Sequence, residues 1–453
     1  MKKQPQTSLP HGTGSIARSG HFGQVTWPVL PEAAATAAAV SADCSECMAC
    51  VRQCAFLDRH GTPKALADAY TANPQKIRDL AFECSLCGLC TTICPDKADP
   101  AAMFLALRRE STAAGETLLP RYKPILGYEK LGNSPFFSCY SLPEGCDTIF
   151  FPGCTLPGKH PHATAELFAR IRRSIPAAGI VLDCCNKPSH DLGRQDHFET
   201  MFGELLDFLM ANGVRTVLVA CPNCHKVFSQ YAPAMRVRTV YEFLHENGLP
   251  DAITQSGTLP DAAAPTVDSV AEAGADMTVT VHDPCPLRDE SGTHDAVRAL
   301  LDSTGIAIAE MRHNRKKTLC CGEGGTVAMR ANDLALAWGE ARSREAQGKT
   351  VVTYCAGCAN YLGRHMKTMH ILDMLFPQPE TAKAAPPAGL RPYFERLKFK
   401  RYIKSLPAAV YRERPMRVGE RFVSMPRLDS KKMLAAASVA AAALLWLLIS
   451  HFA

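Results

Sequence analysis

The placing of cysteines limits this chain more than any other feature, since eighteen of its twenty fall into four groups spaced like metal-cluster ligands. Two runs, Cys44, Cys47, Cys50, Cys54 and Cys84, Cys87, Cys90, Cys94, read C-x2-C-x2-C-x3-C, and Pro95 completes the second. Three cysteines at this pitch can wrap three irons of one cube while the fourth reaches the neighbouring cluster. Cys44, Cys47, Cys50 and Cys94 are therefore expected to hold one 4Fe-4S cube, and Cys84, Cys87, Cys90 and Cys54 a second. Zinc would call for four ligands in spaced pairs, not eight in triplet pitch.

The other ten cysteines repeat. Cys154, the pair Cys184 and Cys185, and the couple Cys221 and Cys224 recur as Cys285, Cys320 with Cys321, and Cys355 with Cys358, at offsets of 131, 136 and 134 residues. Offsets so nearly equal point to an internal duplication. Short apolar runs alternate with amphipathic segments around these positions. Strands are expected at 148–151, 179–182 and 216–220 and again at 278–281, 307–309 and 350–353; helices are expected at 163–175 and 198–212 and again at 294–304 and 331–347. Such alternation predicts a parallel α/β layer, with the cysteines just beyond the strand ends where open sheets place their sites.

A chain of 453 residues with 47% hydrophobic residues can bury several cores, two to four at ordinary domain sizes. Twenty cysteines would suggest a disulfide scaffold in a short secreted chain, but Met1 to Pro31 offers no uninterrupted apolar run before a small-residue cleavage site. The expected setting is reducing, where thiols stay available for metal. The predicted class is α plus α/β. A polar arm (1–40) precedes a mostly helical two-cluster ferredoxin module (41–115), with a break at Asn73-Pro74. After a linker rich in Pro and Gly come a first repeat (148–250), a mobile connection (251–277) and a second repeat (278–376).

The net charge of +6 is unevenly spread: residues 391–432 carry thirteen Lys or Arg against four Asp or Glu, leaving the rest of the chain at −3. Immediately afterwards Met433 to Ile449 is a run of seventeen uncharged residues, at the lower limit for crossing a bilayer. Residues 433–452 are read as a membrane helix, an alanine-rich helix packed on protein being the alternative. The preceding cations would hold the body on the cytoplasmic side of the inner membrane or attract anionic lipid. No nucleic-acid recognition motif accompanies the basic stretch.

The spacer of 29 residues from Cys54 to Cys84 resembles the helical ferredoxin modules of respiratory iron-sulfur proteins, with Ala55 where those usually carry proline. The duplicated half resembles the cysteine-rich CCG domain family, found in heterodisulfide reductases, in the iron-sulfur component of anaerobic glycerol-3-phosphate dehydrogenase and in lactate-utilisation proteins. The matching residues are Phe151-Pro152-Gly153-Cys154, Cys184-Cys185-Asn186 with Pro188 and Gly193, and Cys221-Pro222-Asn223-Cys224. In the second copy they are His282-Asp283-Pro284-Cys285, Cys320-Cys321-Gly322-Glu323-Gly324-Gly325 and Cys355-Ala356-Gly357-Cys358. The order of modules is similar to that of the D-type polypeptide of membrane-associated heterodisulfide reductase, in which a ferredoxin part and the CCG part are fused. Asn186 stands where the family has glycine, and asparagine is among the residues that best tolerate a left-handed backbone.

The resemblance implies a noncubane 4Fe-4S cluster on each five-cysteine set, two in all, with Cys184, Cys185, Cys320 and Cys321 at the catalytic centre and a disulfide or thiol as substrate. Electrons would arrive from a quinone-reactive membrane protein or another redox partner. The alternative implied by the same resemblance is a non-catalytic protein that carries electrons and anchors the assembly, between a flavoprotein (glycerol-3-phosphate or lactate type) and quinone. Gly322 to Gly325 lacks the pattern and lysine of a phosphate loop, and no flavin or nucleotide fingerprint occurs, so hydride chemistry would need another protein. His160, His162, His190, His225, His282 and His313 lie near the motifs and read mainly as structural. Cys139 and Cys146 read as small buried residues.

Overall fold

The computed structural model describes residues 31–115, 119–248, 278–377, 389–418 and 421–423. Residues 1–30 of the expected arm, all of the expected connection at 251–277 and the expected membrane helix at 433–452 lie outside the described residues; the end of the arm is instead the start of a helix, Ala33–Asp43, whose Ala37 and Val40 enter the core. Among the described residues no helix is long and apolar enough to cross a membrane.

The first unit is helical, as its spacing predicts. Three of its helices begin the same way. Thr62, Asn73 and Asp99 each accept a backbone N–H three residues on, and Pro63, Pro74 and Pro100 follow at the first helical position, opening Pro63–Ala72, Pro74–Ala81 and Pro100–Ala113. The cap satisfies an otherwise orphaned donor, and proline there loses no hydrogen bond. Asn73-Pro74 is thus a helix restart, as expected. Leu66, Ile77, Met103, Phe104 and Leu107 form the core, which continues into Val327, Leu334 and Trp338 of the second repeat.

The duplicated half contains strands β1 (Cys139–Leu142), β2 (Thr148–Phe151), β3 (Gly179–Leu182), β4 (Thr216–Val219), β5 (Arg236–Thr239), β6 (Thr278–His282), β7 (Ala307–Ile308), β8 (Thr350–Thr353), β9 (Thr368–His370) and β10 (Val410–Arg412). The first sheet runs β10-β1-β3-β2-β4-β5 and the second β7-β6-β8-β9. Removing β10 and β1, which add antiparallel at one edge, leaves two four-stranded parallel sheets of identical order. In each, the first and third strands of the repeat are neighbours whose connections leave toward opposite edges, and the crevice beyond their carboxyl ends is where such sheets bind ligands.

Helices Val240–Asn247 and Ser291–Asp302 pack the repeats together over one core containing Leu244, Val281, Val297 and Leu301. Tyr241, fully buried, points its hydroxyl at the carbonyls of Ala220 (3.2 Å) and Tyr354 (3.0 Å). Those carbonyls immediately precede Cys221 and Cys355, so one phenol ties together the equivalent strand ends of the two copies.

The structure adds elements that periodicity does not give. Over residues 391–412 the basic segment is folded into the body: Arg391–Ser405 is a helix packed on Leu156–Lys159 just beyond Cys154, and β10 pairs with β1. The described residues lack any cis peptide, and every cysteine is a free thiol.

Candidate functional site

The two ferredoxin-type loops share an unusual backbone. Glu46 and Met48 in the first and Leu86 and Gly88 in the second occupy equivalent positions, all with φ between 54° and 72°. Left-handed residues on either side of the middle cysteine curl the chain so that three thiols face one point, a strained arrangement expected where a ligand repays it. Cys44, Cys47, Cys50 and Cys94 line one enclosed cavity, with Cys90 also at its wall. Burial pushes the Cys50 thiol up, and charge on Cys44, Cys47 and Cys94 pushes it further. In the other predicted quartet, burial and then the charge of Cys87 raise Cys54 to about 12. Burial also raises Cys84 to about 12, and Cys90 sits among Cys84, Cys87 and Cys54. Thiols this reluctant to ionise alone suit a cationic cluster core, whose charge removes the proton.

The ten remaining cysteines form two networks of the same design. Cys184 bonds Cys154, and Cys224 bonds both Cys185 and Cys221. In the second copy Cys320 bonds Cys285 and Cys321, and Cys358 bonds Cys321 and Cys355. The Cys184 hydrogen bond lowers Cys154 to about 6, and those from Cys320 and then Cys358 lower Cys321 to about 7. Five convergent soft donors, all drawn from strand ends, fit an iron-sulfur cluster by their chemistry.

The adjacent pair needs a left-handed residue after it. Asn186 supplies this with φ 58° and ψ 26°, as expected, and its backbone N–H points at the Cys184 sulfur (3.4 Å). Its side chain donates to the Cys184 carbonyl (3.0 Å) and accepts from Asn133 (2.5 Å). Gly322, at φ 103°, makes the matching contact to the Cys320 sulfur (3.3 Å).

The two sets lie close to each other, since charge on Cys221 of the first copy acts on Cys355 of the second. A Glu323 carboxylate oxygen lies within 4.8 Å of the Cys355 and Cys358 sulfurs. Enclosure by protein, then charge on Cys221 and Cys154 of the other copy, raises Glu323 to about 7, although the residue is partly open to solvent. Gly357 lets the Glu323 carboxylate lie against the backbone, where a larger residue would push it aside.

The second copy also meets the ferredoxin unit. A Cβ on Gly324 would lie 2.6 Å from the Ser85 carbonyl and 3.5 Å from the Cys320 sulfur, so the two loops touch. Arg288, three residues after Cys285, donates to the Cys87 carbonyl (3.2 Å) and the Thr318 carbonyl (2.9 Å). Arg108 is wholly buried and donates to the carbonyls of Ala81, Cys84, Asp191 and Gly325, joining all three units. The thiols therefore succeed one another from the first quartet to the second, then to the second copy and then to the first.

Among the histidines, His160 pairs with Asp373 (2.7 Å), His190 with Tyr231 (2.9 Å), and His313 with Glu345, all structural roles as expected. His282 differs. It is 1% exposed, neither ring nitrogen has a hydrogen-bond partner among the described residues, and one lies within 4.8 Å of the Cys321 and Cys358 sulfurs. Burial holds it at about 3, hence neutral. Its neighbourhood with cysteines was legible only from the sequence His282-Asp283-Pro284-Cys285; Tyr241, Arg108 and Arg396 carry no local signal. Cys139 and Cys146 are buried away from both sets, as expected.

Residues 43–99 match the 4Fe-4S dicluster domain, and residues 148–229 and 279–363 each match the cysteine-rich domain. The chain is 25% identical over 315 residues to the D polypeptide of the dihydromethanophenazine:CoB-CoM heterodisulfide reductase of Methanosarcina mazei, covering 64% of this chain and 73% of that one. It is 23% identical to the B polypeptide of the fumarate reductase (CoM/CoB) of Methanothermobacter marburgensis, covering 73% and 71%. With the EtfAB:quinone oxidoreductase of Syntrophomonas wolfei it shares 25% identity over 41% of this chain and 24% of that one.

Proposed function

We propose that this chain, which carries a 4Fe-4S dicluster domain ahead of two cysteine-rich domains and so belongs to the cysteine-rich-domain iron-sulfur proteins, delivers electrons to the two cysteine sets of its repeats to reduce a disulfide there. The observation that carries this reading is the nearness of two complete five-cysteine sets, with Cys221 of the first copy acting by charge on Cys355 of the second and Glu323 lying between them. Clusters bound on these cysteines would supply single electrons and an iron able to bind substrate sulfur.

The chain's own residues do the rest. Cys44, Cys47, Cys50 and Cys94, of which Cys47 is exposed, would hold one cube, and Cys54, Cys84, Cys87 and Cys90 the other. Arg108 and Arg288 fix the loop carrying Cys84 and Cys87 against the second site. Cys184 and Cys185 would hold one reducing centre and Cys320 and Cys321 the other, so that each could take one sulfur of a disulfide. Cleavage consumes two electrons and two protons and releases two thiols. The C-terminal run 433–452 anchors the body on the cytoplasmic side of a membrane beside a quinone-reactive partner; extraction by detergent and not by salt is the expected result.

Two purified forms test the reading. Under anaerobic conditions the native chain should contain about sixteen irons, two cubes and two further clusters, and should reduce a disulfide with a chemically reduced ferredoxin as donor. Cys321→Ser should keep the ferredoxin signals and lose disulfide cleavage; unchanged turnover would sink the proposal. A second reading, an electron carrier with no substrate of its own, is favoured by the similarity to the fumarate reductase and the quinone oxidoreductase. It predicts full cluster loading, no disulfide turnover, and electron exchange with an added flavoprotein and quinone.

A further inference from the structure

The helix Arg391–Ser405 lies outside both repeats in sequence, yet it reaches the first cysteine site. It approaches where Gly158 leaves room: a Cβ there would lie 2.6 Å from the Pro392 carbonyl and 3.1 Å from the Arg396 side chain. That contact fixes the helix four residues beyond Cys154 and turns Arg396 inward. Its side chain is 5% exposed and is held by the rings of Phe137 (4.6 Å) and Tyr128 (5.7 Å). A Cβ on Gly132 would touch the Cys184 Cβ at 3.4 Å and Arg396 Nη2 at 3.7 Å, so the guanidinium and the first site share one small space. Tyr128 itself donates to the Cys154 carbonyl (3.2 Å), completing the wall. Arg396 Nη1 is buried with no hydrogen-bond partner among the described residues.

An unpartnered buried guanidinium N–H is costly, by roughly 1 to 3 kcal/mol or more. Here Cys184 of the first site borders the same small space. Charge on Arg396 favours the thiolate of Cys154, after the hydrogen bond from Cys184. Glu129, buried and bonded by Ser189 (2.8 Å), acts by charge on Cys184 in the opposite sense, against its thiolate.

We propose that Arg396 is a positioning residue that sets the reduction potential of the cluster held by Cys154, Cys184, Cys185, Cys221 and Cys224, by presenting a fixed positive charge and a free N–H to its sulfurs. A cation beside a cluster stabilises the reduced, more negative form, and hydrogen bonds to sulfur act in the same direction. The first site is thereby a better electron acceptor than its ligands alone would make it. This inference rests on the reading that the first site holds a cluster.

The test is a redox titration of the full chain, purified anaerobically and followed by electron paramagnetic resonance. The signal absent from Cys221→Ser identifies the first site. Arg396→Gln should lower the midpoint potential of that signal by an amount equal to about tenfold in its reduction equilibrium, about 59 mV for a one-electron couple. The other signals should not move. Arg396→Lys, which keeps the charge, should shift by less than half as much. An unchanged potential in Arg396→Gln with the iron retained overturns the proposal. If Arg396→Gln loses the first-site iron, Arg396→Lys decides: iron held near the native potential supports the proposal, and iron lost from it as well overturns it. A native chain with no first-site signal would instead overturn the cluster reading itself, and the inference with it.

Discussion

The two repeats share a strand order and a cysteine network but solve the same corner differently. After Cys320-Cys321 a side chain is impossible, since a Cβ on Gly322 would sit against the Ala335 carbonyl and 2.5 Å from the Tyr361 ring. After Cys184-Cys185 there is room, and Asn186 uses it to tie the corner to Asn133 and to the Cys184 carbonyl. The approach to the corner differs too. In the first copy only Asp183 separates β3 from Cys184; in the second, residues 309–319 intervene between β7 and Cys320. That loop offers the Lys316 and Thr318 carbonyls to Arg288, which also holds Cys87, so the longer loop builds the dock for the ferredoxin unit. The first copy, without it, is covered by the helix that follows the repeats. A duplicated fold has thus been given one copy docked on the ferredoxin-type unit and one copy covered by an added helix.

Exchanging the corner residues should break this comparison most severely. Gly322→Asn should abolish the second site, seen as about four irons fewer per chain, because the new side chain has no place between Tyr361 and Ala335. Asn186→Gly should keep its iron and lose only about 1 kcal/mol in denaturation, since glycine accepts the backbone but forfeits two hydrogen bonds. Equal iron loss in both variants would show that the corners obey the same constraint. Next in size is Arg108→Met, which strands four buried carbonyls and should cost about 3 kcal/mol. It should also slow electron passage from the ferredoxin cubes into the second site more than it perturbs either cube's spectrum, as stopped-flow reduction would report.

Much of this was legible in the sequence because cluster ligands announce themselves by spacing and strands by apolar runs bounded by turns. The strands β2, β3, β4, β6, β7 and β8 lie within two residues of expectation; Cys44, Cys47, Cys50 and Cys94 line one cavity, and Cys54 lies near Cys84 and Cys87. What periodicity could not give were contacts between distant segments. β1 and β10 pair across some 270 residues, and Tyr140-Ser141 or Val410-Tyr411 shows no pattern that requires an edge strand. Arg396 sits in a stretch whose positive charge reads as solvated or lipid-facing, and only Gly158, four residues past the Cys154 motif, records that a helix must lie there. Arg108 is one charge on an amphipathic helix until three units close around it. Glu323 was visible as part of a cysteine motif, but its position between the two copies depends on the fold that Tyr241 locks.

Asp283 and His282, which precede Cys285, sharpen the comparison with smaller effects, because the first copy has Pro152 and Phe151 before its Gly153-Cys154. Asp283 is buried and paired with Arg298 through two contacts of 2.9 Å, and it accepts from Tyr354 (2.8 Å). Burial alone would raise its carboxyl, but the hydrogen bonds and charge of Arg298 prevail and hold it at about 2. A folded-state value below the ordinary one stabilises the fold above the unfolded value, so the contribution is complete at neutral pH and disappears as pH falls from about 4 toward 2. Asp283→Asn should therefore cost on the order of 2 kcal/mol at pH 7, measured by denaturation of the cluster-free chain. A cost that already fades between pH 6 and 5 would mean that a different group is responsible.

The smallest effect belongs to His282→Phe, which gives the second copy the aromatic residue of the first. A buried imidazole with both nitrogens unpartnered costs stability, so in the cluster-free chain the phenylalanine variant should unfold at the same denaturant concentration or slightly higher. With the second site loaded, the balance should reverse: a neutral ring N–H close to Cys321 and Cys358 can donate to cluster sulfur, which phenylalanine cannot. The loaded variant should then lose about 1 kcal/mol relative to the native loaded chain, and the signal of its second site should change while that of the first stays fixed. Equal stability of the two loaded forms would mean that the imidazole is only packing, and that the copies differ in their docking surfaces but not in the polarity around their clusters.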